Sequence, residues 1–280
     1  MDNTNTIELL NQDLKGEHAA IIQYLGHAYA MGEGEMACEI EGIAREEMRH
    51  LDWLTETIVG LGGTPTLNRG MMRTEGKTVA DWMENDVLQE EDGISLYKKH
   101  IELVEDPAIK RLLQRILSDE ESHHGDFQHF VGKARKEGMT DLRGSLTNKD
   151  VDNVNWGIEH EYTVVLQYMY QSYLTGNKEA KKQFEDQAVN EMQHMGWLAE
   201  KLIGMKGAPR LEHTDVKLAP KTADMLKDDI EVEQQVADKY ERSAQETENV
   251  DLKELFLRMR GHEKYHSDLF VDILKEEEKK

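Results

Sequence analysis

The sequence predicts an all-α protein made of two tandem four-helix bundles. Three observations lead to this fold class. The chain repeats itself at a nearly constant offset, its apolar residues recur every three or four positions, and Gly or Pro residues separate the apolar stretches. At 280 residues the chain is long enough for two domains of about 140 residues each.

Short motifs recur 144 residues apart: Gln23-Tyr24 as Gln167-Tyr168, Glu47-Met48-Arg49-His50 as Glu191-Met192-Gln193-His194, Trp53-Leu54 as Trp197-Leu198, and Gly63-Thr64-Pro65 as Gly207-Ala208-Pro209. After a one-residue slip the offset is 143, which pairs Asp86 with Asp229, Glu90 with Glu233 and His123 with His266. So many matches indicate a duplication. The polar segment 138–149 is the predicted linker, so we predict domains over residues 1–140 and 148–280.

Each repeat is expected to form four helices. In the first repeat the apolar stripes run from Ile7 to Met31, from after Gly34 to Leu61, from Met83 to Val104 and from Ile109 to Phe130. Pro107 marks the start of the fourth helix. The connections are short, long and short, which is typical of a bundle with one crossover.

Composition excludes several classes of function. The net charge of −22 opposes binding to nucleic acid and instead attracts cations. No apolar run approaches the ~20 residues of a membrane-spanning helix. The polar stretch Met1-Asp2-Asn3-Thr4-Asn5-Thr6 does not resemble a secretory signal, so we expect a cytoplasmic protein. Cys38 is the single cysteine, which excludes a disulfide within the chain and a Cys-x-x-Cys site.

Polar residues interrupt the apolar stripes at positions that face the predicted cores. They are Glu17, Glu47, His50, Glu90, Glu120 and His123 in the first repeat, and Glu161, Glu191, His194, Glu233, Glu263 and His266 in the second. Four buried carboxylates would repel one another, and no Lys or Arg occupies these stripes. Two divalent cations per repeat would neutralise them. The alternative is that the helical phase is wrong and these residues are solvated.

The spacing within the motifs supports metal binding. In Glu-x-x-His the two side chains share one helix face, so a single helix offers a carboxylate oxygen and an imidazole nitrogen. The order Glu, Glu-x-x-His, Glu, Glu-x-x-His is the known pattern of ferritin-like and designed di-iron bundles. It occurs in both repeats.

With these motifs the chain resembles bacterioferritin over almost all of both repeats. The residues that carry the resemblance are Glu17 with Gln23-Tyr24, Glu47-Met48-Arg49-His50, Asp86-Val87-Leu88-Gln89-Glu90 and Ile116-Leu117-Ser118-Asp119-Glu120-Glu121-Ser122-His123. The resemblance implies a ferritin-like bundle with a di-iron ferroxidase centre. It implies that Glu47 and Glu120 bridge two irons, with Glu17 and His50 terminal on one and Glu90 and His123 on the other. In the second repeat the bridges are Glu191 and Glu263, and the terminal pairs are Glu161 with His194 and Glu233 with His266.

The implied activity is oxidation of Fe²⁺ by O₂ or H₂O₂, in iron handling or oxidative-stress protection, with two irons per bundle and four per chain. Carboxylate and imidazole ligands without thiolate suit iron or manganese. Tyr24 and Tyr168 follow Glu17 and Glu161 by seven residues, so they share a helix face with them. We expect these tyrosines to donate a hydrogen bond or an electron to the centre; the alternative is that they are ordinary core residues.

The resemblance raises two further hypotheses. Bacterioferritin dimers hold a haem between methionines of the Glu-Met-x-His motif, and Met48 and Met192 stand at that place, so an intrachain haem is one hypothesis and core packing the alternative. Bacterioferritin subunits also carry a fifth helix that closes a 24-subunit cage, whereas 14 residues follow His266 here. Assembly into a homo-oligomer is left undecided. We expect the fused chain to be equivalent to a subunit dimer at least as readily as to assemble into a cage.

Three other functions compete with the ferroxidase. A rubrerythrin-like peroxidase would carry a Cys₄ module and a further glutamate where Gly93 and Val236 stand. A metal-stabilised bundle could act only as a binding protein or scaffold. DNA-protecting mini-ferritins place their metals between subunits, unlike the complete set in each repeat. The remaining histidines singled out by the sequence are expected to be surface or supporting residues: His18, His27, His100, His124, His129, His160 and His262.

Overall fold

The computed structural model describes residues 3–279, and this part of the chain is all-helical. Its helices are α1 (Asn3–Met31), α2 (Glu35–Gly60), α3 (Val79–Leu103), α4 (Pro107–Glu137), α5 (Lys149–Leu174), α6 (Lys178–Gly204), α7 (Thr222–Glu246) and α8 (Val250–Glu277). They form two four-helix bundles, α1–α4 and α5–α8, in two compact units, Met1–Arg143 and Gly144–Lys280. The predicted fold class is confirmed. The limits 1–140 and 148–280 stay a prediction.

Local sequence signals set the helix ends in the first unit. Thr78 begins α3 with a capping box, in which its side chain accepts from the Asp81 backbone N–H and the Asp81 carboxylate accepts from the Thr78 backbone N–H. Asp106 caps α4 by accepting from two backbone N–H groups, and Pro107 occupies the first turn. Gly138 ends α4 in the left-handed conformation, with φ of 65°.

The long connection between α2 and α3 lies along α1. The Asn11 amide donates to the Thr64 carbonyl and its oxygen accepts from the Thr66 backbone N–H at 2.7 Å. Further along, the Arg73 backbone N–H donates to the Gln23 side-chain oxygen at 2.5 Å. Buried or half-buried side chains of α1 therefore pair with backbone groups of the connection, which would otherwise lack partners.

The second unit repeats this arrangement on α5. Asn155 donates to the Ala208 carbonyl and accepts from the Arg210 backbone N–H at 2.8 Å. Gln167 accepts from the Lys217 backbone N–H at 3.0 Å. Asn155 and Gln167 stand 144 residues after Asn11 and Gln23, so the duplication extends to the residues that hold the connection.

The core of each unit runs along the middle of its bundle and is apolar at both ends. Leu10 and Phe127 are among the fully buried side chains of the first unit, and Phe184 and Phe256 among those of the second. The ionisable side chains buried between these layers include the glutamates and histidines described below. Within residues 3–279, no helix is both long enough and apolar enough to cross a membrane.

Replacing Asp106 by Ala should weaken the first turn of α4 by about 1 kcal/mol, because two backbone N–H groups lose their side-chain acceptor. Hydrogen exchange at the Ala108 and Ile109 amides measures this directly. The matched control is Asp126→Ala, an exposed position in the middle of the same helix. Equal exchange in the two variants would contradict the assigned cap.

Candidate metal centres

Six ionisable side chains meet in the middle of the first bundle, and every helix contributes. They are Glu17 on α1, Glu47 and His50 on α2, Glu90 on α3, and Glu120 and His123 on α4, and all six are buried. Their donor atoms form two groups, each within 4.8 Å: Glu17, Glu47, His50 and Glu120, and Glu47, Glu90, Glu120 and His123. Glu47 and Glu120 belong to both groups, so the geometry defines two adjacent positions with two shared carboxylates.

The second bundle brings its six residues together in the same way. The two groups are Glu161, Glu191, His194 and Glu263, and Glu191, Glu233, Glu263 and His266, again with donor atoms within 4.8 Å of one another. The shared carboxylates are Glu191 and Glu263. All the residues predicted as metal ligands are therefore buried, and none lies outside its cluster.

The histidine rings turn the same nitrogen toward the carboxylates. In the first unit, His50 Nδ1 lies 2.8 Å from Glu47 Oε2, and His123 Nδ1 lies 2.9 Å from Glu47 Oε1. In the second unit, Nδ1 of His194 and of His266 lie 2.6 and 2.8 Å from Glu191 oxygens. Nδ1 is therefore the nitrogen that each ring offers to the centre, and Nε2 points away from it.

The donor set fits a pair of divalent cations. Several of its buried atoms make no well-aligned hydrogen bond, although some of them lie within 3.0 Å of another donor atom of the same cluster. They are Glu17 Oε2, Glu47 Oε1, Glu90 Oε2, Glu120 Oε1 and His123 Nδ1 in the first unit, and Glu161 Oε2, Glu191 Oε1 and Oε2, His194 Nδ1, Glu263 Oε1 and His266 Nδ1 in the second. A buried polar atom without a partner costs about 1–3 kcal/mol. Metal ions would satisfy these lone pairs, and oxygen and imidazole donors suit iron or manganese.

The sequence of each unit also matches a known protein family. The ferritin-like domain family matches residues 7–136 and again residues 151–280. This chain belongs to the ferritin family. Its relatives include the bacterioferritin of Desulfovibrio desulfuricans, 31% identical over 142 residues, which span 49% of this chain and 79% of that protein. Bacterioferritin BfrA of Mycobacterium tuberculosis is 32% identical over 126 residues, spanning 42% of this chain and 79% of the relative.

Among solved structures, this ferritin-family chain is similar to the X-ray structure of the Desulfovibrio desulfuricans bacterioferritin. The match is 28% identical, covers 53% of this chain and 95% of the other, and has a TM-score of 0.47. The family match and the relatives confirm the predicted resemblance of this chain to bacterioferritin.

Burial and mutual repulsion shift the titration of the carboxylates in both ferritin-like units. Burial, followed by the charges of Glu120 and Glu47, raises the pKa of Glu17 well above its usual value. The pKa of Glu90 is raised for the same reasons. In the second unit, burial and the charges of Glu263 and Glu191 raise the pKa of Glu233. Each cluster therefore resists carrying its full negative charge unless positive charge is supplied.

The histidines supply part of that charge when they are protonated. Burial opposes protonation of His123, but hydrogen bonds and charge from Glu47 and other carboxylates raise its pKa to about 9. The same holds for His266. Burial lowers its pKa, but the hydrogen bonds and charges of Glu191 and Glu263 raise it to about 9. Protons and metal ions therefore compete for the same nitrogen atoms.

Buried tyrosines hold the glutamates of α1 and α3. Tyr24 donates a hydrogen bond to Glu90 Oε1 at 2.6 Å, so it contacts a proposed ligand on the facing helix rather than Glu17 on its own helix. In return, Tyr97 on α3 donates to Glu17. This reciprocal pairing requires α1 and α3 to run antiparallel.

The second unit has the same pair. Tyr168 donates to Glu233, and Tyr240 donates to Glu161. The sequence analysis missed Tyr97 and Tyr240, although each follows a predicted ligand, Glu90 or Glu233, by seven residues. The same spacing of seven residues singles out Tyr24, and it could have identified Tyr97 and Tyr240 as well.

Two buried carboxylates extend the polar network beyond the centres. Asp86 accepts from the Gln23 amide at 2.7 Å and lies 2.9 Å from His27 Nδ1. Asp13 lies 2.7 Å from His100 Nδ1. His27 and His100 are therefore buried supporting residues. His124, in contrast, is partly exposed and faces Glu91.

Met48 and Met192 are half-buried, each within its own unit. Each directly follows a shared carboxylate of its centre, Glu47 or Glu191. Haem binding by this pair stays a prediction.

Binding of Mn²⁺ should stabilise the chain more at about pH 8 than at about pH 6, because fewer protons then compete for the ligands. The pKa values of His123 and His266 are raised to about 9, so their charge stabilises the metal-free fold below the ordinary pKa of 6.5 and is lost as pH rises through about 9. The raised pKa values of Glu17, Glu90 and Glu233 also favour metal binding at the higher pH. Thermal unfolding with and without Mn²⁺ measures the effect. A Mn²⁺-induced shift in Tm that is independent of pH would contradict it.

Proposed function

We propose that this chain is a ferroxidase, which oxidises Fe²⁺ with O₂ or H₂O₂ at one di-iron centre in each unit. The observation that carries the proposal is the sharing of two carboxylates between two adjacent donor groups, Glu47 and Glu120 in the first unit. Such an arrangement fits two metal ions held side by side. Bridging carboxylates keep two metals within the ~3.5–4 Å that is usual for two-metal sites.

The proposed roles follow the grouping of the donors. Glu47 and Glu120 would bridge the two irons in the first unit, and Glu191 and Glu263 would bridge them in the second. The terminal pairs are Glu17 with His50, Glu90 with His123, Glu161 with His194, and Glu233 with His266. Each position then receives carboxylate oxygens and one imidazole nitrogen.

The electron balance favours a two-metal centre. Oxidation of two Fe²⁺ to Fe³⁺ releases two electrons, which with two protons reduce O₂ to H₂O₂, or reduce H₂O₂ to two water molecules. Hard carboxylate oxygens stabilise the Fe³⁺ product more than softer ligands would. Tyr24 and Tyr97 hold Glu90 and Glu17 by hydrogen bonds, so the terminal carboxylates keep their orientation as the metal charge changes.

A rubrerythrin-like peroxidase has less support. Its extra glutamate would stand at Gly93, where a Cβ atom would come 3.4 Å from Glu120 Oε2, so this position does face the centre. The chain has glycine there and Val236 at the equivalent place. A purely structural metal site has less support as well, because two ligands of the first unit, Glu17 and Glu120, line a pocket. Roles in iron handling or stress protection, haem binding, a cytoplasmic location and the oligomeric state stay predictions.

The double substitution Glu47→Ala and Glu191→Ala should abolish Fe²⁺ oxidation, because each centre loses a carboxylate that both metal positions share. Each single variant should keep the oxidation that belongs to the intact unit. Stopped-flow absorbance of Fe³⁺, with O₂ and separately with H₂O₂, measures this.

The control is Glu121→Ala, next to Glu120 on α4 but exposed and paired with Lys98 at the surface. It should oxidise Fe²⁺ at the native rate. A double variant that is folded by circular dichroism and still oxidises Fe²⁺ at the native rate would overturn the proposal.

A further inference from the structure

A small pocket between α1 and α3 leads to the metal ligands of the first unit. Gly16, Ala20, Gly93 and Leu96 line it, as do Glu17 and Glu120 of the proposed centre. Its volume is about 90 Å³. A water-sized molecule needs about 10–15 Å³ of such volume, so the pocket is large enough for a diatomic molecule or a peroxide.

The pocket exists because three facing residues are small. A Cβ atom at Gly16 would meet nothing within 4 Å, and one at Gly93 would come 3.4 Å from Glu120 Oε2. Both glycines lie inside helices, where Gly costs roughly 0.5–1 kcal/mol relative to Ala. Any larger side chain at position 93 would occupy the space beside Glu120.

Two proposed metal ligands lie at the inner end of the pocket. Glu17 and Glu120 line it with exposed fractions of 3% and 4%, and Glu120 Oε1 lies 3.0 Å from His50 Nδ1 of the same centre. A small molecule in this largely apolar passage would therefore meet two carboxylates of the proposed centre.

The second unit has larger side chains at the equivalent positions. The residues equivalent to Gly16, Ala20 and Gly93 are His160, Val164 and Val236. The His160 ring stacks on Trp156, with ring centroids 5.4 Å apart, and Val164 and Val236 are buried. These three residues form part of the wall of a wider pocket of about 400 Å³, which no proposed metal ligand lines.

We propose that the α1–α3 pocket is the route by which O₂ or H₂O₂ reaches the first centre, and that His160, Val164 and Val236 close the equivalent route in the second unit. The two centres then react with the oxidant at different rates, and the first is faster. This proposal rests on the ferroxidase function for its kinetics, but the pocket itself is testable without iron.

Xenon is the probe for the pocket in the metal-free full chain, because it occupies small apolar cavities without chemistry. Crystals under xenon pressure should show an atom between α1 and α3 beside Glu17, and none beside Glu161. Gly93→Val should remove it. Absence of xenon in the first unit, or xenon beside both glutamates, would overturn the proposed route. This result decides the pocket even if the chain does not oxidise Fe²⁺.

The kinetic test uses chains with one intact centre. In a Glu191→Ala background, where the first centre is intact, Gly93→Val should slow Fe³⁺ formation several-fold while metal titration still finds both positions of the first centre. In a Glu47→Ala background, where the second centre is intact, the double substitution His160→Gly and Val236→Gly should accelerate Fe³⁺ formation. Unchanged rates in both backgrounds, with the parent chains active, would overturn the proposal and leave the ferroxidase assignment standing.

A second difference between the units concerns the outer nitrogen of each ligand histidine. In the first unit, His50 Nε2 lies 3.5 Å from Asp119 Oδ2, and His123 Nε2 lies 3.0 Å from Glu46 Oε2. Both rings thus have a carboxylate on the side away from the centre. A carboxylate at this place orients the imidazole and strengthens it as a metal ligand.

The second unit replaces both carboxylates. His262 stands at the position of Asp119, and its Nδ1 lies 2.8 Å from His194 Nε2. Asn190 stands at the position of Glu46, and its amide donates to the Gln187 side-chain oxygen at 3.0 Å. Neither replacement brings negative charge to a ligand histidine.

We further infer that the first centre binds divalent metal more tightly than the second, with Asp119 and Glu46 as positioning residues. Loss of such a partner typically weakens metal affinity by about 10–100-fold. The readout is Co²⁺ binding to the metal-free chain, followed by its visible absorption, which does not depend on oxidation. The native chain should show two classes of affinity.

His262→Asp in the Glu47→Ala background should tighten Co²⁺ binding to the second centre by about tenfold or more. Asp119→Asn in the Glu191→Ala background should weaken binding to the first, and Asp119→Glu should restore it and its absorption spectrum. A single class of affinity in the native chain, or unchanged affinity in both His262→Asp and Asp119→Asn, would overturn the inference.

Discussion

The rest of the structure depends on the burial of four glutamates in the core of each bundle. Burying one carboxylate costs several kcal/mol, and carboxylates whose oxygen atoms lie within 4.8 Å of one another also repel. Among the described residues, no Lys or Arg is buried, so the core contains no fixed positive charge against them. Protons bound to the glutamates and histidines offset part of the negative charge, as the raised pKa values of Glu17 and His123 indicate. Two divalent cations per bundle would balance the four negative charges in full, and they would also bind the oxygen and nitrogen atoms that make no well-aligned hydrogen bond.

The fold holds these groups in place through polar contacts along α1 and α3. Because the two helices are antiparallel, one spacing of seven residues lets Tyr24 reach Glu90 while Tyr97 reaches Glu17. Gln23 continues the network, since it binds the Asp86 carboxylate on one side and the backbone of the long connection on the other. The crossover that defines the bundle topology is thus joined by hydrogen bonds to the helices that carry the proposed ligands. A local change in the connection would therefore be transmitted to the metal centre through these hydrogen bonds.

Much of this could be predicted from the sequence, because burial of charge against an apolar stripe leaves a periodic signal. The fold class, the duplication and the clustering of Glu17, Glu47 and their partners all follow from helical spacing. The pairing of side chains across helices does not, since spacing shows which face a residue occupies but not which residue it meets. The spacing therefore places Tyr97 on the core-facing side of α3 but does not show that it meets Glu17. The repeat pattern also does not show how the units differ. Gly93 of the first unit corresponds to Val236 of the second, and this difference affects the space beside the centre. The sequence does not indicate this effect, because only the structure shows that position 93 lies next to Glu120.

The two units therefore share one ligand arrangement but differ in their surroundings, in access through α1 and α3 and in the partners of the ligand histidines. Each bundle is proposed to hold two adjacent metal ions between shared carboxylates. Anomalous diffraction at the iron edge, from crystals of the full chain loaded with Fe²⁺ without oxygen, tests it most directly. We expect a pair of iron peaks in each unit, about 3.5–4 Å apart, flanking Glu47 with Glu120 and Glu191 with Glu263. Iron found only at surface carboxylates, or a single peak per bundle that excludes a second, would contradict it.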